Sequence, residues 1–173
     1  MYDLTPFQID LKGLKESATA LEYDLTDAYF EAIGATEVSG GSVHTEVVIR
    51  SCAGFFEMVV RSEGHVRVTC DRCLDDMEQA VSAENRVIVR FGVETAETDD
   101  VLMVDESEGV LDVAWLIYEF IALAIPVRHV HAPGECNEAM MQALEAHSAQ
   151  KGDGEQAEKE IDSRWSALLK LKE

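Results

Sequence analysis

The sequence predicts an α+β protein: an antiparallel, β-rich meander or partial barrel covered by one buried helix, with a C-terminal helical tail. Three observations support this prediction. Apolar and polar residues alternate through most of residues 7–91, which is typical of half-buried strands. One compact apolar segment, residues 113–124, then ends before Pro126. The 173 residues are 47% hydrophobic and 28% charged, which suits a globular domain and excludes wholesale disorder.

The N-terminal part predicts two strands and a short helix. Apolar residues alternate with polar ones over residues 7–11 and again over residues 21–25. Residues 27–34 are typical of a helix that Thr26 or Asp27 begins and Gly34 ends.

A denser β region follows, rich in β-branched and aromatic residues. The residues Ser62-Glu63-Gly64 are typical of a hairpin turn and divide this region. Because the connections are short, neighbouring strands are expected to be antiparallel. The predicted strands are 43–50, 55–61, 65–70, 77–81 and 86–91.

The segment 91–127 holds nine acidic residues and no Lys or Arg. Within it, residues 101–104 predict another strand, and Asp112 is placed to cap a helix over residues 113–124. That helix is apolar almost all round, so we expect it to pack on the sheet as its main cover.

The chain is predicted to divide into a β-rich domain (residues 1–147), a flexible linker (148–162) and a short amphipathic helical tail (163–173). The first of these ends with a second helix, residues 137–147. The linker has almost no large apolar residue. The tail places Trp165, Leu168 and Leu169 at helical spacing.

The charge of the chain limits its partners. Thirty-four acidic residues against fourteen Lys and Arg give a net charge of −20. This argues against whole-surface binding of nucleic acid or of anionic membranes, and it favours a basic partner or simple solubility. The sequence shows no secretory signal, and its longest apolar run is shorter than the about 18 residues of a membrane span. We therefore expect a soluble, cytoplasmic protein whose cysteines are thiols or metal ligands.

The sharpest local motif is the C-x-x-C pair Cys70 and Cys73. Two thiolates at this spacing can bind one zinc ion, which needs two further ligands. The segment 129–136 offers Cys136 and His131, with His129 as the substitute for His131. Zinc is thus a candidate cofactor, although no cofactor is certain. The alternative is that these thiols are reduced and packed as small apolar side chains.

The motif could also serve redox chemistry, and the rest of the chain could in principle carry a hydrolytic or phosphate-binding site. Cys70 and Cys73 could form a redox dithiol, but the pair lies within β structure, and Asp71 is expected to raise the thiol pKa. Cys52 has no partner in the sequence. The chain has no G-x-S-x-G, P-loop, H-E-x-x-H or G-x-G-x-x-G motif. We therefore expect no catalytic residues.

Two charged groups are candidates for binding. Alternation with valines puts several arginines on the outward face of the sheet, where they form a basic stripe or, alternatively, are neutralised by nearby acids such as Glu63 and Glu84. This arginine stripe consists of Arg67, Arg86 and Arg90. The second group is either a solubility patch or an acidic docking stretch for a basic protein. It consists of Asp99, Asp100, Asp105 and Glu106.

Several segments together resemble the bacterial YceD family, named for large ribosomal RNA subunit accumulation. The most specific are the C-x-R-C-L core at residues 70–74 and the "LAIP" exit at residues 123–126. The ending "DSRWSALLKLK" from Asp162 is also similar, and the resemblance covers about residues 5–173.

The resemblance implies a non-enzymatic factor for synthesis, processing or stability of large-subunit ribosomal RNA. Family members are often encoded beside a small basic protein of that subunit. The implied partner is a basic ribosomal protein or a large-subunit precursor, while direct RNA binding is disfavoured by the net charge. Many relatives carry more cysteines after the "LP" segment, where this chain keeps only Cys136. The alternatives are a thiol–disulfide redox protein using Cys70 and Cys73, or a zinc-stabilised protein-binding adaptor.

Overall fold

The computed structural model describes residues 2–14, 17–92 and 101–148. A 3₁₀ turn, Thr5–Phe7, precedes the first strand. The strands are β1 (Gln8–Asp10), β2 (Ala18–Leu25), β3 (Gly40–Cys52), β4 (Phe55–Thr69), β5 (Asp76–Phe91), β6 (Val101–Val104) and β7 (Val110–Asp112). The helices are α1 (Asp27–Ala32), α2 (Ala114–Ala124) and α3 (Glu138–His147).

The main sheet has five strands in the order β2-β3-β4-β5-β6. The pairs from β2 to β5 are antiparallel, as predicted. In the described part of the chain the sheet is open, with β2 and β6 at its edges, and it does not close into a barrel. Strands β1 and β7 form a separate antiparallel pair. The prediction of an α+β fold with a mostly antiparallel sheet is therefore confirmed.

The hairpin turn predicted at residues 62–64 is wrong. Strand β4 runs through these residues, and β5 likewise joins two strands predicted as separate. The side chain of Ser62 is buried and lies 2.9 Å from the hydroxyl of Thr45 on β3. A Cβ on Gly64 would lie 2.7 Å from the Cα of Val43. These residues resemble a turn in sequence because they are small and polar, but here they allow close strand contact.

One pair at the edge of the main sheet is parallel, where the chain between the two strands is longer. Strand β6 pairs with β5 in parallel, with Ile88 opposite Val101 and Phe91 opposite Val104. The connection 92–100 is long enough for this. Strand β6 has 4 residues and is only about 13 Å long. Because an extended chain spans about 3.3 Å per residue, the connection can run back along the whole strand.

Helix α2 covers one face of the sheet and closes the main core. The helix begins one residue later than predicted, with Val113 rather than Asp112 at its N-cap position, and Asp112 Oδ1 accepts a hydrogen bond from the amide of Ala114 at 2.9 Å from just outside the helix. The helix buries the side chains of Ile117, Tyr118 and Ile121. Trp115 stays 47% exposed, so α2 has a solvent-facing side despite its apolar composition.

The N-terminal turn and α1 complete this core with stacked aromatic rings. The rings of Phe7 and Tyr23 lie 4.5 Å apart, and those of Phe7 and Tyr29 lie 5.3 Å apart. The hydroxyl of Tyr29 donates a hydrogen bond to the carbonyl of Ala114 at 2.6 Å. This bond ties α1 to the first turn of α2.

Helix α3 projects from the end of the described chain. The side chain of Asn137 caps it by accepting a hydrogen bond from the amide of Met140 at 3.2 Å. Apart from Ser148, the predicted linker and the whole predicted tail lie outside the described residues.

Candidate metal centre

The candidate metal ligands Cys70 and Cys73 lie in the tight connection between β4 and β5. The amide of Leu74 donates to the carbonyl of Cys70 at 3.0 Å, and the amide of Cys70 donates to the carbonyl of Asp75 at 2.9 Å. Leu74 has a φ of 64°, which reverses the chain. This turn directs Cys70 and Cys73 inward, where they are 0% and 1% exposed.

The chain leaving α2 is held against this turn by Asp71. The amide of Asp71 donates to the carbonyl of His129 at 3.0 Å, and Asp71 Oδ2 accepts from the amide of His129 at 2.8 Å. Two backbone-directed bonds therefore place residues 129–131 beside the C-x-x-C turn. Sequence reasoning considered Asp71 only for its charge and missed this positioning role.

A third segment, at the start of α3, completes the cluster. The side-chain amide of Asn137 donates to Asp75 Oδ2 at 3.1 Å, which fixes the helix cap to the C-x-x-C turn. Cys136, immediately before that cap, is partly buried. Asp75 and Asn137 were not predicted as site residues, because neither type nor spacing links them in the sequence.

The four candidate ligands lie together, and this group of side chains is called the metal cluster below. Single ligand atoms of Cys70, Cys73, His131 and Cys136 all lie within 4.8 Å of one another. Cys73 Sγ and His131 Nδ1 are 3.3 Å apart. A zinc ion with sulfur at about 2.3 Å sets ligand atoms about 3.8 Å apart at the corners of a tetrahedron. The cluster thus has the size, the donor types and the number of ligands of a structural zinc site.

His129, the substitute ligand, is engaged elsewhere. Its Nδ1 lies 3.1 Å from the carbonyl of Pro126, and its Nε2 lies 3.6 Å from Asp71 Oδ1. The described cluster therefore takes His131 as its nitrogen donor.

The cluster also favours a charged sulfur. Burial opposes ionisation of Cys70, but hydrogen bonds from the backbone of Cys73, Arg72 and His131 outweigh it and lower the pKa of Cys70 to about 5. The expectation that Asp71 raises the pKa of this thiol is therefore wrong for Cys70. A hydrogen bond to Cys70 raises the pKa of His131, and burial raises the pKa of Cys136. Because zinc binds thiolates and neutral imidazole, these groups would release their protons when a metal cation binds.

The three residues of the arginine stripe share the outer face of the sheet but are occupied by neighbours. Arg67 lies 3.5 Å from Asp27, and Arg86 lies 3.3 Å from Glu57. The guanidinium of Arg90 lies over the ring of Phe55, 5.9 Å from its centroid.

The expected neutralising acids are not the ones that pair with the stripe. Glu84 instead binds Arg61, at 2.8 Å. With two of its three arginines paired, the stripe offers little free positive charge to RNA.

Two of the four residues of the acidic docking stretch lie within the described part of the chain. Asp105 and Glu106 are exposed in the turn after β6, while Asp99 and Asp100 lie outside the described residues. Asp105 Oδ1 accepts bonds from the amide and the hydroxyl of Ser107, both at 2.6 Å, and these bonds lower the pKa of Asp105. Lys12 Nζ lies 3.5 Å from the carbonyl of Ser107. The fold thus brings one basic side chain to a segment that has none of its own.

A family model described as "Large ribosomal RNA subunit accumulation protein YceD" matches residues 58–172. This range is well over half of the chain. The chain belongs to the YceD family. Comparison with curated proteins and with solved structures gives no match.

The part of the chain that matches the YceD family contains the whole metal cluster. It begins within β4 and extends past α3, so it includes the C-x-x-C turn, the exit from α2 and Cys136. The family description assigns a role in the accumulation of large-subunit ribosomal RNA, and it describes no enzyme. Among the helices that the structure describes, none has the length and apolar character needed to cross a membrane.

Proposed function

We propose that this YceD-family protein is a non-enzymatic binding factor that supports synthesis, processing or stability of large-subunit ribosomal RNA in the cytoplasm. The observation that carries the proposal is the family match over residues 58–172. Its action is through a bound component of the large subunit rather than through a reaction.

The charge of the chain supports a basic ribosomal protein as that component. A net charge of −20 attracts Lys- and Arg-rich chains and repels the phosphates of RNA. The turn after β6 presents Asp105 and Glu106 to solvent, and its hydrogen bonds from Ser107 favour the ionised form of Asp105. In this proposal the acidic docking stretch binds the basic protein and keeps it from misplaced RNA contacts before assembly.

The metal cluster has a structural role in this proposal. Zinc bound by Cys70, Cys73, His131 and Cys136 would join the C-x-x-C turn, the exit from α2 and the start of α3. The redox alternative is supported by the pKa of Cys70, which is lowered to about 5. It is opposed by the burial of both thiols of the C-x-x-C pair, because a disulfide substrate must reach the attacking sulfur.

The experiment is capture of ribosomal proteins from cell lysate by the tagged full chain, at increasing salt concentration. We expect basic large-subunit proteins in the eluate, and we expect their capture to weaken as salt screens the charges. The test variant neutralises the acidic docking stretch by four changes: Asp99→Asn, Asp100→Asn, Asp105→Asn and Glu106→Gln. Asn at position 105 keeps an oxygen that can accept the bonds from Ser107.

A control variant makes the same change in net charge at exposed positions on or near the opposite edge strand, β2. Its substitutions are Glu22→Gln, Asp24→Asn, Glu31→Gln and Glu37→Gln. We expect the control variant to retain capture and the test variant to lose it. Equal capture by both variants and the unchanged protein would mean that the acidic docking stretch is only a solvated surface. Failure of the unchanged chain to enrich any large-subunit component would contradict the proposed function itself.

A further inference from the structure

Helix α3 is unusual because none of its residues is buried within the described part of the chain. Met140 is 38% exposed and Leu144 is 49% exposed, and both lie on the same side of the helix as Met141. Helices of fewer than about 12 residues are marginal in water without tertiary packing. Helix α3 has only 10 residues, so its apolar side is expected to have a packing partner.

The apolar side of α3 borders a groove of about 680 Å³, a volume typical of binding clefts. Met141, Leu144 and Ser148 line the groove from the helix. Arg72 of the C-x-x-C turn and Cys136 of the metal cluster also line it. The groove therefore lies between α3 and the metal cluster.

We propose that the tail of the same chain, residues 163–172, docks as a helix in this groove. The tail places Trp165, Leu168 and Leu169 at helical spacing, which gives one apolar face. The described chain ends at Ser148, which itself lines the groove, so the path to the tail starts there. The family match also extends to residue 172, so it includes both α3 and the tail.

The charges of the groove favour the tail over an acidic partner. Among the 14 basic residues of the whole chain, Arg164, Lys170 and Lys172 fall in its last ten positions. The groove carries two acidic residues from α3, Glu138 and Glu145, and one basic residue, Arg72. The most basic segment of an otherwise acidic protein thus has a matching acidic rim within reach.

The connection is long enough for the tail to return along α3. Residues 149–162 number 14, and a flexible chain of that length spans about 20 Å on average. Helix α3, with 10 residues, is about 15 Å long. A docked tail would cover Cys136 and so shield the exposed side of the metal cluster. This inference does not depend on the identity of the ribosomal partner.

The fluorescence of Trp165 tests the proposal directly. The chain has two tryptophans, so the variant Trp115→Phe leaves Trp165 as the only one. In that variant we expect blue-shifted emission and weak quenching by acrylamide, compared with the same protein unfolded in guanidinium. Adding Leu144→Glu should abolish both, because it puts a carboxylate in the groove. Adding Ala146→Glu, an exposed position that does not line the groove, should leave both unchanged.

A second variant and a dilution series separate the other outcomes. Leu168→Glu alters only the tail and should have the same effect as Leu144→Glu while the described fold is retained. Emission equal to that of the unfolded chain would overturn the proposal. A blue shift that disappears on dilution would also overturn it, because the groove would then bind the tail of a second copy. A blue shift that is insensitive to Leu144→Glu would place Trp165 elsewhere.

Discussion

Zinc is expected to stabilise this protein through four specific side chains. The ligand atoms lie within 4.8 Å of one another, and a zinc tetrahedron needs separations of about 3.8 Å, so the widest separation must close by at most about 1 Å. A ligand that binds only the folded chain adds about 2.7 kcal/mol at a hundred times its Kd and about 4.1 kcal/mol at a thousand times. For a chain of this length, these energies raise the Tm by about 5 to 16 °C.

The assay is thermal unfolding of the full chain with zinc and after removal of zinc by a chelator. Cys136→Ser should lose the stabilisation by zinc, because it removes one of three sulfur donors. Cys52→Ser is the matched control, since Cys52 is exposed at the end of β3 and should keep the whole effect. Protein purified without chelator should contain about one equivalent of zinc. Less than about a tenth of an equivalent, or equal shifts for both serine variants, would refute the reasoning.

The two histidines distinguish the ligand from its neighbour. His131→Ala should lower zinc affinity strongly, because His131 Nδ1 lies 3.3 Å from Cys73 Sγ. His129→Ala should retain zinc, because the bonds that link His129 to Asp71 through its backbone do not need its ring. The opposite order of effects would assign the nitrogen donor to His129.

Two further predictions concern the fold. Tyr29→Phe should cost about 1 kcal/mol and lower the Tm by about 2 to 4 °C, because it removes the buried bond to the carbonyl of Ala114; an unchanged Tm would contradict this role. The hydrogen bond that His44 Nδ1 donates to Asp24 Oδ1 raises the pKa of His44, so this pair stabilises the fold below pH 6.5 and loses its effect as the pH rises through the folded pKa. Asp24→Asn should therefore lower the pKa of His44 in an NMR titration, and a constant value would rule out the pair.

The sequence by itself determined the local structure and the type of chemistry. Alternation of apolar residues predicted β2 and β3, and the apolar run ending before Pro126 predicted α2. The C-x-x-C spacing predicted where two sulfur ligands would lie. These features depend on residues close in sequence, whose geometry is fixed by the backbone period of a strand, helix or turn.

Features that depend on contacts between distant residues were decided by the tertiary structure. Ser62 and Gly64 have the local character of a turn, but a buried bond to Thr45 and close packing on β3 keep them in a strand. The direction of β6 depends on how its connection returns to β5. The local sequence predicts neither the strand at Ser62 and Gly64 nor the direction of β6. Both depend on contacts with the neighbouring strand, which lies far away in the sequence.

The metal cluster shows the same division within one site. The sequence named its four candidate ligands but left open whether His131 or His129 joined them. The choice was made by Asp71, which binds the backbone of His129 and lies near its ring, while Asp75 holds the cap that follows Cys136. Both aspartates act across some 60 positions of sequence, 58 from Asp71 to His129 and 62 from Asp75 to Asn137. The sequence could therefore supply the donors, but only the folded chain could set their positions, because long-range hydrogen bonds fix the loops that carry them.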